Sequence, residues 1–554
     1  MIGPAFASKR LHSSTAARLH IKCVVPRCWR HRERQQPGLL SVAGSPLLPP
    51  LYIASHTLLS RDYGTSTMGA TAAGAHELLS FINASPTPFH AVDAVKNKLE
   101  KAGFQRLDEK DSWSTQCTPG GKYYLTRNTS TIMAFAIGKK WRPGNPVAMI
   151  GAHTDSPTLR VKPISKRESN GFIQVGVETY GGGLWHTWFD RDLSIAGRVM
   201  VKDGNGSLIQ KLVKIERPIL RIPTLAVHLD RQDPFSFNKE TQLFPIAGLV
   251  AAELNRHGKV KSSSAETTKK DTNSDSFRPL KAPDQRHHPY LIELIGKEAG
   301  VQPSDVVDFE MVLFDTQKSC VGGINDELLF SPRLDNLEMS FCSTMGLINS
   351  VSSSASLENE ESLRLITLFD HEEIGSQTAQ GADSNFLPTM VRRLSVLPIG
   401  KKSESGVDVD AYEQTLSKSF LISADMAHSV NPNYAANYES DHKPEMNGGT
   451  VIKINANARY ATNSPGIVLL EEAARRAEAP LQLFVVRNDS SCGSTIGPML
   501  SAALGARTLD LGNPQMSMHS IRETGGVYDV DYAIRLFESF FKHYSELASK
   551  IIVD

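Results

Sequence analysis

Short apolar segments that end at acidic or histidine residues recur along this chain, and they limit its fold more than any other feature. Residues 146–152 lead into His153, residues 363–368 lead into the acidic cluster at 370–373, and residues 420–424 lead into Asp425. Two further runs of this kind cover residues 481–486 and 506–511. Short apolar runs bounded by Gly, Pro and Asp are typical of buried strands, mostly in parallel sheets. Because helical patterns separate them, the sequence predicts an α/β fold with a mixed, largely parallel sheet between layers of helices.

Asp335 differs from the other acids because a helical pattern follows it. Leu337, Phe341 and Met345 recur at helical spacing within residues 336–350. Asp335 or Asn336 is therefore a candidate cap for this helix. A carboxylate held rigidly at a helix start is also well placed to bridge two cations, and the residues alone leave both interpretations open.

Glu372 and Glu373 form the sharpest chemical signal. Two adjacent acids after a buried strand repel each other unless a cation lies between them. One of them can bind a metal while the other accepts a proton from water as a general base. The alternative is that both acids only stabilise the first turn of a helix through its dipole.

The segment His153-Thr154-Asp155 is the second signal. A carboxylate two residues after a metal-bound histidine can hold the imidazole ring in one tautomer. A histidine in isolation is more often a core or loop residue, and Asp425 and His519 in isolation indicate little.

The joint occurrence of these residues at element ends predicts one split metal site. In open α/β sheets, ligands bind beyond the carboxyl ends of the strands. Hydrolysis at a two-metal centre requires carboxylate and imidazole ligands, a bridging carboxylate and a further carboxylate that moves protons. We expect His371 to face solvent or to support a ligand, because Gly375 stands where a His-Glu-x-x-His helix would need its second histidine.

Two other motifs have structural explanations. His287-His288-Pro289 precedes a helical stretch, so it predicts a helix start with Pro289 in the first turn rather than a metal tract. Gly181-Gly182-Gly183 lacks the spacing of a phosphate-binding loop and predicts a turn.

Taken together, these motifs resemble the aspartyl aminopeptidase family of cocatalytic zinc peptidases. The resemblance extends over about residues 77–553 and includes the segments 78–92, 448–453 and 513–520. It implies a catalytic domain of the zinc-exopeptidase type that removes N-terminal Asp or Glu from peptides. It also implies two zinc ions as cofactors, with other divalent metals as alternatives.

The resemblance also implies the ligand set. The family pattern places His153, Asp335 and Asp425 on one zinc ion. It places Asp335, Glu373 and His519 on the other, so Asp335 is the expected bridge.

Four further residues have roles that the resemblance implies. Glu372 is the expected general base and acid, and Asp155 is expected to orient His153. Lys453 is expected to bind the acidic side chain of the substrate. His228 is expected to approach the site of a neighbouring subunit.

The domain organisation follows from the same pattern. Residues 76–154 and 319–554 are predicted to form two parts of a catalytic domain. Residues 155–318 are predicted to form an inserted β-rich domain, which the family uses for dimerisation within a homododecamer. Residues 261–276 within it are polar and low in complexity, which predicts a disordered loop, and residues 350–362 and 401–406 are predicted to form surface loops.

Residues 1–75 differ in composition from the rest of the chain. Glu33 is the only acid within residues 1–61, which carry many Lys, Arg, Ser, Ala and Pro. This composition is typical of a disordered transit segment. Met68 directly precedes the family-like part, so an over-long choice of start codon explains the extension equally well.

Composition excludes several classes of partner. The formal net charge of +1 favours no nucleic-acid partner, and no apolar run reaches the ~18 residues of a membrane span. The six cysteines lack zinc spacing and indicate a reducing compartment. We therefore expect a cytoplasmic protein, or a mitochondrial or vacuolar one if the extension is a targeting segment.

Two rival functions share these sequence features. A neutral aminopeptidase or an amino-acid deacylase would have the same ligands. An assembly with a scaffold role, or one that serves as vacuolar cargo, would not need an intact ligand set.

Overall fold

The computed structural model describes residues 72–231, 234–252, 279–398 and 409–553. Most of the basic extension at residues 1–75 and the predicted loops at 261–276 and 401–406 lie outside these residues. The predicted surface loop at 350–362 lies within them, and its residues after Ser350 form mostly exposed turns before the next strand.

A nine-stranded mixed sheet is the centre of the fold. Its strands, in spatial order, are β1 (Gln105–Arg106), β2 (Lys122–Arg127), β3 (Thr131–Ile137), β13 (Leu363–Phe369), β4 (Val147–His153), β14 (Phe420–Ala424), β18 (Arg507–Gly512), β16 (Thr450–Lys453) and β17 (Leu481–Phe484). The neighbours β13, β4, β14 and β18 run parallel. This confirms the predicted α/β fold with a largely parallel central sheet.

Successive residues of the central strands face two separate cores, as the pleat of a strand requires. In β4, Ala148 and Ile150 belong to one core, whereas Val147 and Met149 belong to the other. Every residue of β4, β13 and β14 is buried. Burial on both faces explains why these strands are continuous apolar runs rather than alternating patterns.

Helices cover both faces of this sheet. The helices of the described residues are α1 (Ala73–Ala84), α2 (Pro88–Lys101), α3 (Lys239–Gln242), α4 (Pro283–Arg286), α5 (Pro289–Ala299), α6 (Leu334–Ser350), α7 (Phe386–Ser395), α8 (Ala411–Lys418), α9 (Ser464–Ala477), α10 (Ile496–Leu504) and α11 (Val527–Ala548). The helices α3, α4 and α5 contribute to neither of the two cores of this sheet. The first core contains side chains of α1, α2, α6, α9 and α11. The second contains side chains of α7, α8 and α10.

The exposure of β17 differs from the expectation for residues 481–486. β17 runs parallel to β16, but β16 is antiparallel to β18, so β17 runs opposite to the central strands. β17 is also a partly exposed edge strand. The pairing of this run with β16 is parallel, as predicted. The predicted burial is wrong, because an apolar run does not reveal that its strand lies at the edge of the sheet.

A second, six-stranded sheet is antiparallel throughout. Its strands, in spatial order, are β8 (Leu208–Lys214), β7 (Leu193–Lys202), β10 (Val306–Asp315), β5 (Thr158–Ser169), β6 (Phe172–Tyr180) and β9 (Ile246–Leu249). All six strands fall within residues 155–318, and the boundaries of the inserted domain stay a prediction. Helix α5 begins at Pro289, and the His288 side chain accepts a hydrogen bond from the Tyr290 amide, as expected for a helix start.

A third sheet joins distant parts of the chain. Its order is β11 (Cys320–Gly322), β12 (Leu328–Ser331), β20 (Glu523–Gly526), β19 (Pro514–Met516) and β15 (Ala427–His428). Ser331 pairs with Glu523 in this sheet. The turn between β19 and β20 is thereby held close to the start of α6, which follows β12 directly.

The start of α6 is irregular. Asp335 and Asn336 have non-helical backbone angles, and no side chain caps the helix. The Asn336 side chain instead donates to the Ala424 carbonyl at 2.9 Å. The interpretation of Asp335 or Asn336 as a cap is therefore wrong, because both side chains are directed towards other elements.

Among the residues that the structure describes, no helix combines the length and the apolar character that a membrane crossing requires.

Gly346 tests how tightly α6 and α11 pack. A Cβ atom at this position would lie 2.6 Å from Phe537 Cβ and 3.2 Å from the Glu538 nitrogen. Replacing glycine by alanine in a helix stabilises it by about 1 kcal/mol, whereas overpacking a core costs about 1–3 kcal/mol. We therefore expect Gly346→Ala to lower the midpoint of thermal unfolding. Gly204→Ala is the control because its Cβ meets open space; an unchanged midpoint for Gly346→Ala would contradict tight packing of the two helices.

Candidate metal centre

The parallel strands bring their terminal residues to one edge of the central sheet. His153 is the last residue of β4, and its register partner Phe369 is the last residue of β13. Glu372 and Glu373 follow β13 in a short 3-10 turn, and Asp425 follows β14 directly. The sequence therefore places three of the predicted acids and one imidazole at the carboxyl ends of neighbouring strands.

Asp335 lies between the two predicted histidine ligands. Its Oδ1 atom is 3.4 Å from His153 Nε2, and its Oδ2 atom is 3.3 Å from His519 Nε2. Two ligands of one tetrahedral zinc ion, each about 2.0–2.1 Å from the metal, lie roughly 3.3 Å apart. Asp335 Oδ1 and His153 Nε2 are therefore spaced as two ligands of one ion. Asp335 Oδ2 and His519 Nε2 are spaced as two ligands of a second ion.

The remaining acids complete two clusters of donors. His519 Nε2 is also 3.3 Å from Glu373 Oε2. His153 Nε2 lies 3.8 Å from Asp425 Oδ1 and equally far from Glu372 Oε2. By distance alone, Glu372 is as well placed to bind a cation as Asp425, so geometry does not separate its predicted role as a base from that of a ligand.

Two buried oxygens of the cluster have no hydrogen-bond partner within the described residues. These atoms are Asp335 Oδ1 and Glu373 Oε1. Buried polar atoms are almost always paired, so two unpartnered carboxylate oxygens require an explanation, and one of them, Asp335 Oδ1, lies 3.4 Å from His153 Nε2. Carboxylate and imidazole donors are the ligands that zinc takes in hydrolytic sites, so the residues present fit a divalent cation.

Asp155 holds the turn that carries Glu372 and Glu373, here called the acidic turn, and not only His153. Its Oδ1 and Oδ2 atoms accept the amides of Glu372 and Glu373, both at 3.1 Å. His153 Nδ1 is closer to the backbone oxygen of Asp155, at 3.0 Å, than to its carboxylate, at 3.4 Å. The ring of His153 is therefore held mainly by the Asp155 carbonyl, which the sequence prediction of a carboxylate contact did not anticipate.

The crowding of carboxylates determines the pKa values of the site. Burial raises the pKa of Glu372 to about 8 against the opposing charge of His153, and the neighbouring Asp425 adds to the rise. Burial and Asp335 raise the pKa of Glu373 well above its usual range. Burial alone would lower the pKa of His519, but Asp335 and Glu373 raise it to about 10. The cluster therefore attracts protons or cations strongly.

Lys453 ends β16 beside the cluster. Its side chain is almost completely buried, and its Nζ atom donates to the Met426 carbonyl at 2.8 Å. Nζ also lies 3.7 Å from Asp425 Oδ2 and 5.4 Å from the centre of the Tyr460 ring. A lysine in a strand pattern is usually exposed, so only the family resemblance selected it. Tyr460 was not selected from the sequence.

His228 and His371 lie outside the two donor clusters. His228 belongs to an exposed segment at residues 223–231, and its expected place beside a neighbouring subunit stays a prediction. His371 is partly buried and its Nδ1 atom lies 2.7 Å from Thr378 Oγ1. Its expected role, to face solvent or to support a ligand, stays a prediction.

Glu523 is a site residue that the sequence did not indicate. Its carboxylate is buried, and it accepts the Asp335 amide at 3.1 Å and the His519 amide at 2.9 Å. It therefore connects two predicted ligands of the same ion. No local pattern marks this residue, because its contacts depend on the pairing of β12 with β20.

A cluster of carboxylate and imidazole donors at the carboxyl edge of a helix-covered sheet is the arrangement of a metal-dependent hydrolase. Residues 81–541 match the model of the family described as aminopeptidase I zinc metalloprotease (M18). The chain belongs to this family and is a metallo-aminopeptidase.

Similar proteins include several aspartyl aminopeptidases. One from Aspergillus oryzae is 70% identical over 485 residues, which cover 86% of this chain and 97% of the relative. Aspartyl aminopeptidase 4 from Saccharomyces cerevisiae is 52% identical over 482 residues, and the match covers 86% of this chain and 96% of the relative.

Solved structures show the same fold. A chain of the cryo-EM structure of the Ape4 and Nbr1 complex has a TM-score of 0.80 at 50% identity, and the match covers 88% of this chain and 89% of that one. The mApe1 dodecamer from S. cerevisiae has a TM-score of 0.73 at 34% identity, and the match covers 87% and 99% of the two chains.

We expect Glu523→Gln to weaken zinc binding by about 10–100-fold, because outer partners of metal ligands typically contribute that much to metal affinity. Glutamine offers one oxygen to two backbone N–H donors, and its NH₂ group would face one of them. Competition with a chelator measures the affinity.

Glu360→Gln is the control, since this buried carboxylate accepts the Ser362 amide at the opposite end of β13. Equal zinc affinities for the two variants would show that Glu523 does not hold the ligands in place.

Proposed function

We propose that this chain hydrolyses the peptide bond after an N-terminal Asp or Glu residue and that its centre holds two zinc ions, which other divalent metals can replace. The observation that carries this proposal is the position of Asp335, whose two oxygens face two different imidazoles. The buried ammonium group of Lys453 beside the same cluster supports the acidic specificity. The names of the similar proteins, which are aspartyl aminopeptidases, support it as well.

The proposed ligand sets follow the distances. His153, Asp335 and Asp425 hold one ion, and Asp335, Glu373 and His519 hold the other. Two zinc ions held by these residues would polarise the scissile carbonyl group and lower the pKa of a water molecule. Asp155 keeps Glu372 and Glu373 in place through their amides.

Glu372 moves the proton in the proposed mechanism. Its carboxylate accepts a proton from the attacking water, whose oxygen forms a bond with the carbonyl carbon. The C–N bond then breaks, and Glu372 gives the proton to the departing amine. A group that merely binds a cation could not do both, so this role separates Glu372 from Asp425.

Lys453 provides the proposed selectivity. The side-chain carboxylate of the substrate leaves water to enter the site and needs a cation there, because an unpaired buried charge is costly. The Met426 carbonyl and the Tyr460 ring fix the position of the ammonium group. Neutral aminopeptidases and deacylases with the same ligands would have no need for this buried charge.

We also propose that the protein assembles into homododecamers. One relative is a dodecamer by its description, and the exposed segment that carries His228 presents Leu225, Val227 and Leu229 to solvent. Exposed apolar patches mark contacts between proteins. His228 would then approach the site of a neighbouring subunit, and sedimentation of the purified chain tests the assembly.

The cytoplasm is the proposed location, with mitochondria or the vacuole as alternatives if residues 1–67 form a targeting segment. Microscopy of the tagged protein with and without these residues tests this proposal.

We expect Glu372→Gln to keep both metals but to lose turnover by about 10²–10⁴-fold, the usual contribution of a general base. The amide has the shape of the acid but cannot accept the proton. Metal content and kcat measured on one sample decide the outcome. Near-normal activity would contradict the role as a base, and loss of one metal would show that Glu372 is a ligand.

We expect Lys453→Met to lower kcat/KM for Asp and Glu substrates by about 3–5 kcal/mol, the cost of breaking a buried charge pair. Neutral substrates should lose little, since they place no charge beside Lys453. A panel of aminoacyl anilides measures the ratio of the two classes.

Lys122→Met is the matched control because the Lys122 ammonium also donates to a backbone carbonyl, that of Ala102. A wild-type preference for Leu over Asp would contradict the acidic specificity. If the ratio of kcat/KM between acidic and neutral substrates is unchanged in Lys453→Met, then another cation such as Arg459 binds the substrate carboxylate.

A further inference from the structure

The end of β6 contacts the metal centre, although β6 belongs to the second sheet and carries none of the proposed ligands. The Tyr180 hydroxyl donates to Asp155 Oδ2 at 2.7 Å. The Gly182 carbonyl oxygen lies 3.1 Å from His519 Nδ1. The Leu184 amide donates to the His519 carbonyl at 2.9 Å. One short segment therefore contacts both Asp155, which holds the turn at Glu372 and Glu373, and the proposed ligand His519.

The Gly182 carbonyl selects the tautomer of His519. A carbonyl oxygen accepts only, so a hydrogen must reside on Nδ1. In the neutral ring that binds a metal, the lone pair is then on Nε2, the nitrogen that lies 3.3 Å from Asp335 Oδ2 and Glu373 Oε2. His519 needs such a contact more than His153 does. Its side chain is 31% exposed, compared with 2% for His153, and it occupies a turn with a positive φ of 67°.

The Tyr180 hydroxyl completes the hydrogen bonding of Asp155. The two oxygens of this buried carboxylate accept the Glu372 and Glu373 amides, and the tyrosine is its third donor. Asp155 holds the turn that carries the proposed base Glu372 and the proposed ligand Glu373. If the Asp155 carboxylate were held less firmly, both residues would be displaced. Tyr180 therefore acts on the reaction through Asp155 and not by contact with the substrate.

Glycine is required where this segment meets the acidic turn. Gly181 has a φ of 76°, and a Cβ atom there would lie 3.2 Å from Glu373 Cβ and 3.4 Å from Pro157 Cα. The triple glycine is a turn, as the sequence predicts. The structure adds the reason for its composition, which is close approach to a ligand-bearing residue.

We propose that Tyr180, Gly181 and Gly182, here called the β6 clamp, position the metal centre, so that the second sheet contributes to metal binding. The hydroxyl of Tyr180 fixes Asp155 and the acidic turn, and the carbonyl of Gly182 fixes the tautomer of His519. This inference rests on the proposed function because it concerns the same two-metal site.

The test is zinc affinity of the full chain in Tyr180→Phe, with zinc alone as the probe and a chelator as the competitor. We expect affinity to fall by about 10–100-fold, as for other outer partners of ligands. We also expect kcat to fall while KM for an acidic anilide stays within about twofold, since Lys453 is untouched. The unfolding midpoint of the zinc-free protein should change as little as in the control.

Tyr124→Phe is the matched control, because this buried tyrosine also donates to a carboxylate, that of Glu100, at 2.5 Å. Gly181→Ala is a second variant that presses a methyl group towards Glu373 without removing a hydrogen bond, and it should lower zinc affinity as well. Wild-type zinc affinity in Tyr180→Phe, or a decrease equal to that of Tyr124→Phe, would overturn the β6 clamp.

The outcomes separate this inference from the proposed function. If wild type binds zinc but does not cleave acidic substrates, and Tyr180→Phe still loses affinity, then the specificity is wrong and the β6 clamp is supported. If wild type cleaves acidic substrates and Tyr180→Phe binds zinc normally, then the specificity is supported and the β6 clamp is wrong.

Discussion

Repulsion between buried carboxylates is the constraint on which the rest of the site depends. Six of them surround one small space, opposed by two imidazoles and one ammonium group. The six are Asp155, Asp335, Glu372, Glu373, Asp425 and Glu523. Burial raises the pKa of Glu372, Glu373 and Glu523, and repulsion by neighbouring carboxylates raises it further. Hydrogen-bond donors and cations offset such a charge, so a metal ion bound at this cluster would stabilise the folded chain.

Two of the six carboxylates are proposed to bind backbone rather than metal. Asp155 accepts the amides of Glu372 and Glu373 and so fixes the turn after β13. Glu523 accepts the amides of Asp335 and His519 and so fixes the start of α6 to the turn between β19 and β20. Each of these acids joins two elements that are far apart in the chain. Together they hold the backbone of three proposed ligands and of the proposed base.

The three sheets therefore have different parts in one site. The central sheet presents His153, Asp425 and the acidic turn at the ends of parallel strands. The third sheet holds His519 and Glu523 beside Asp335. The second sheet reaches the same place through the end of β6, where Tyr180 donates to Asp155. A change in any of the sheets would be transmitted to the ligands through one of these hydrogen bonds.

The sequence by itself determined the elements whose chemistry is local. β4, β13 and β14 were predictable because strands buried on both faces are continuous apolar runs, and their terminal acids and histidine were visible as neighbours in the chain. Short motifs of a few residues carried the resemblance to the family, and that resemblance implied the proposed ligand set. The tertiary structure alone decided the remaining features. These are the direction of β17, the burial of Lys453, and the contacts of Glu523, Tyr180 and Gly182. These features arise from pairs such as Asp335–Glu523 and Gly182–His519, which lie 188 and 337 residues apart. Only the folded chain brings such atoms within hydrogen-bond distance, and local sequence carries no signal of which distant partner a side chain will meet.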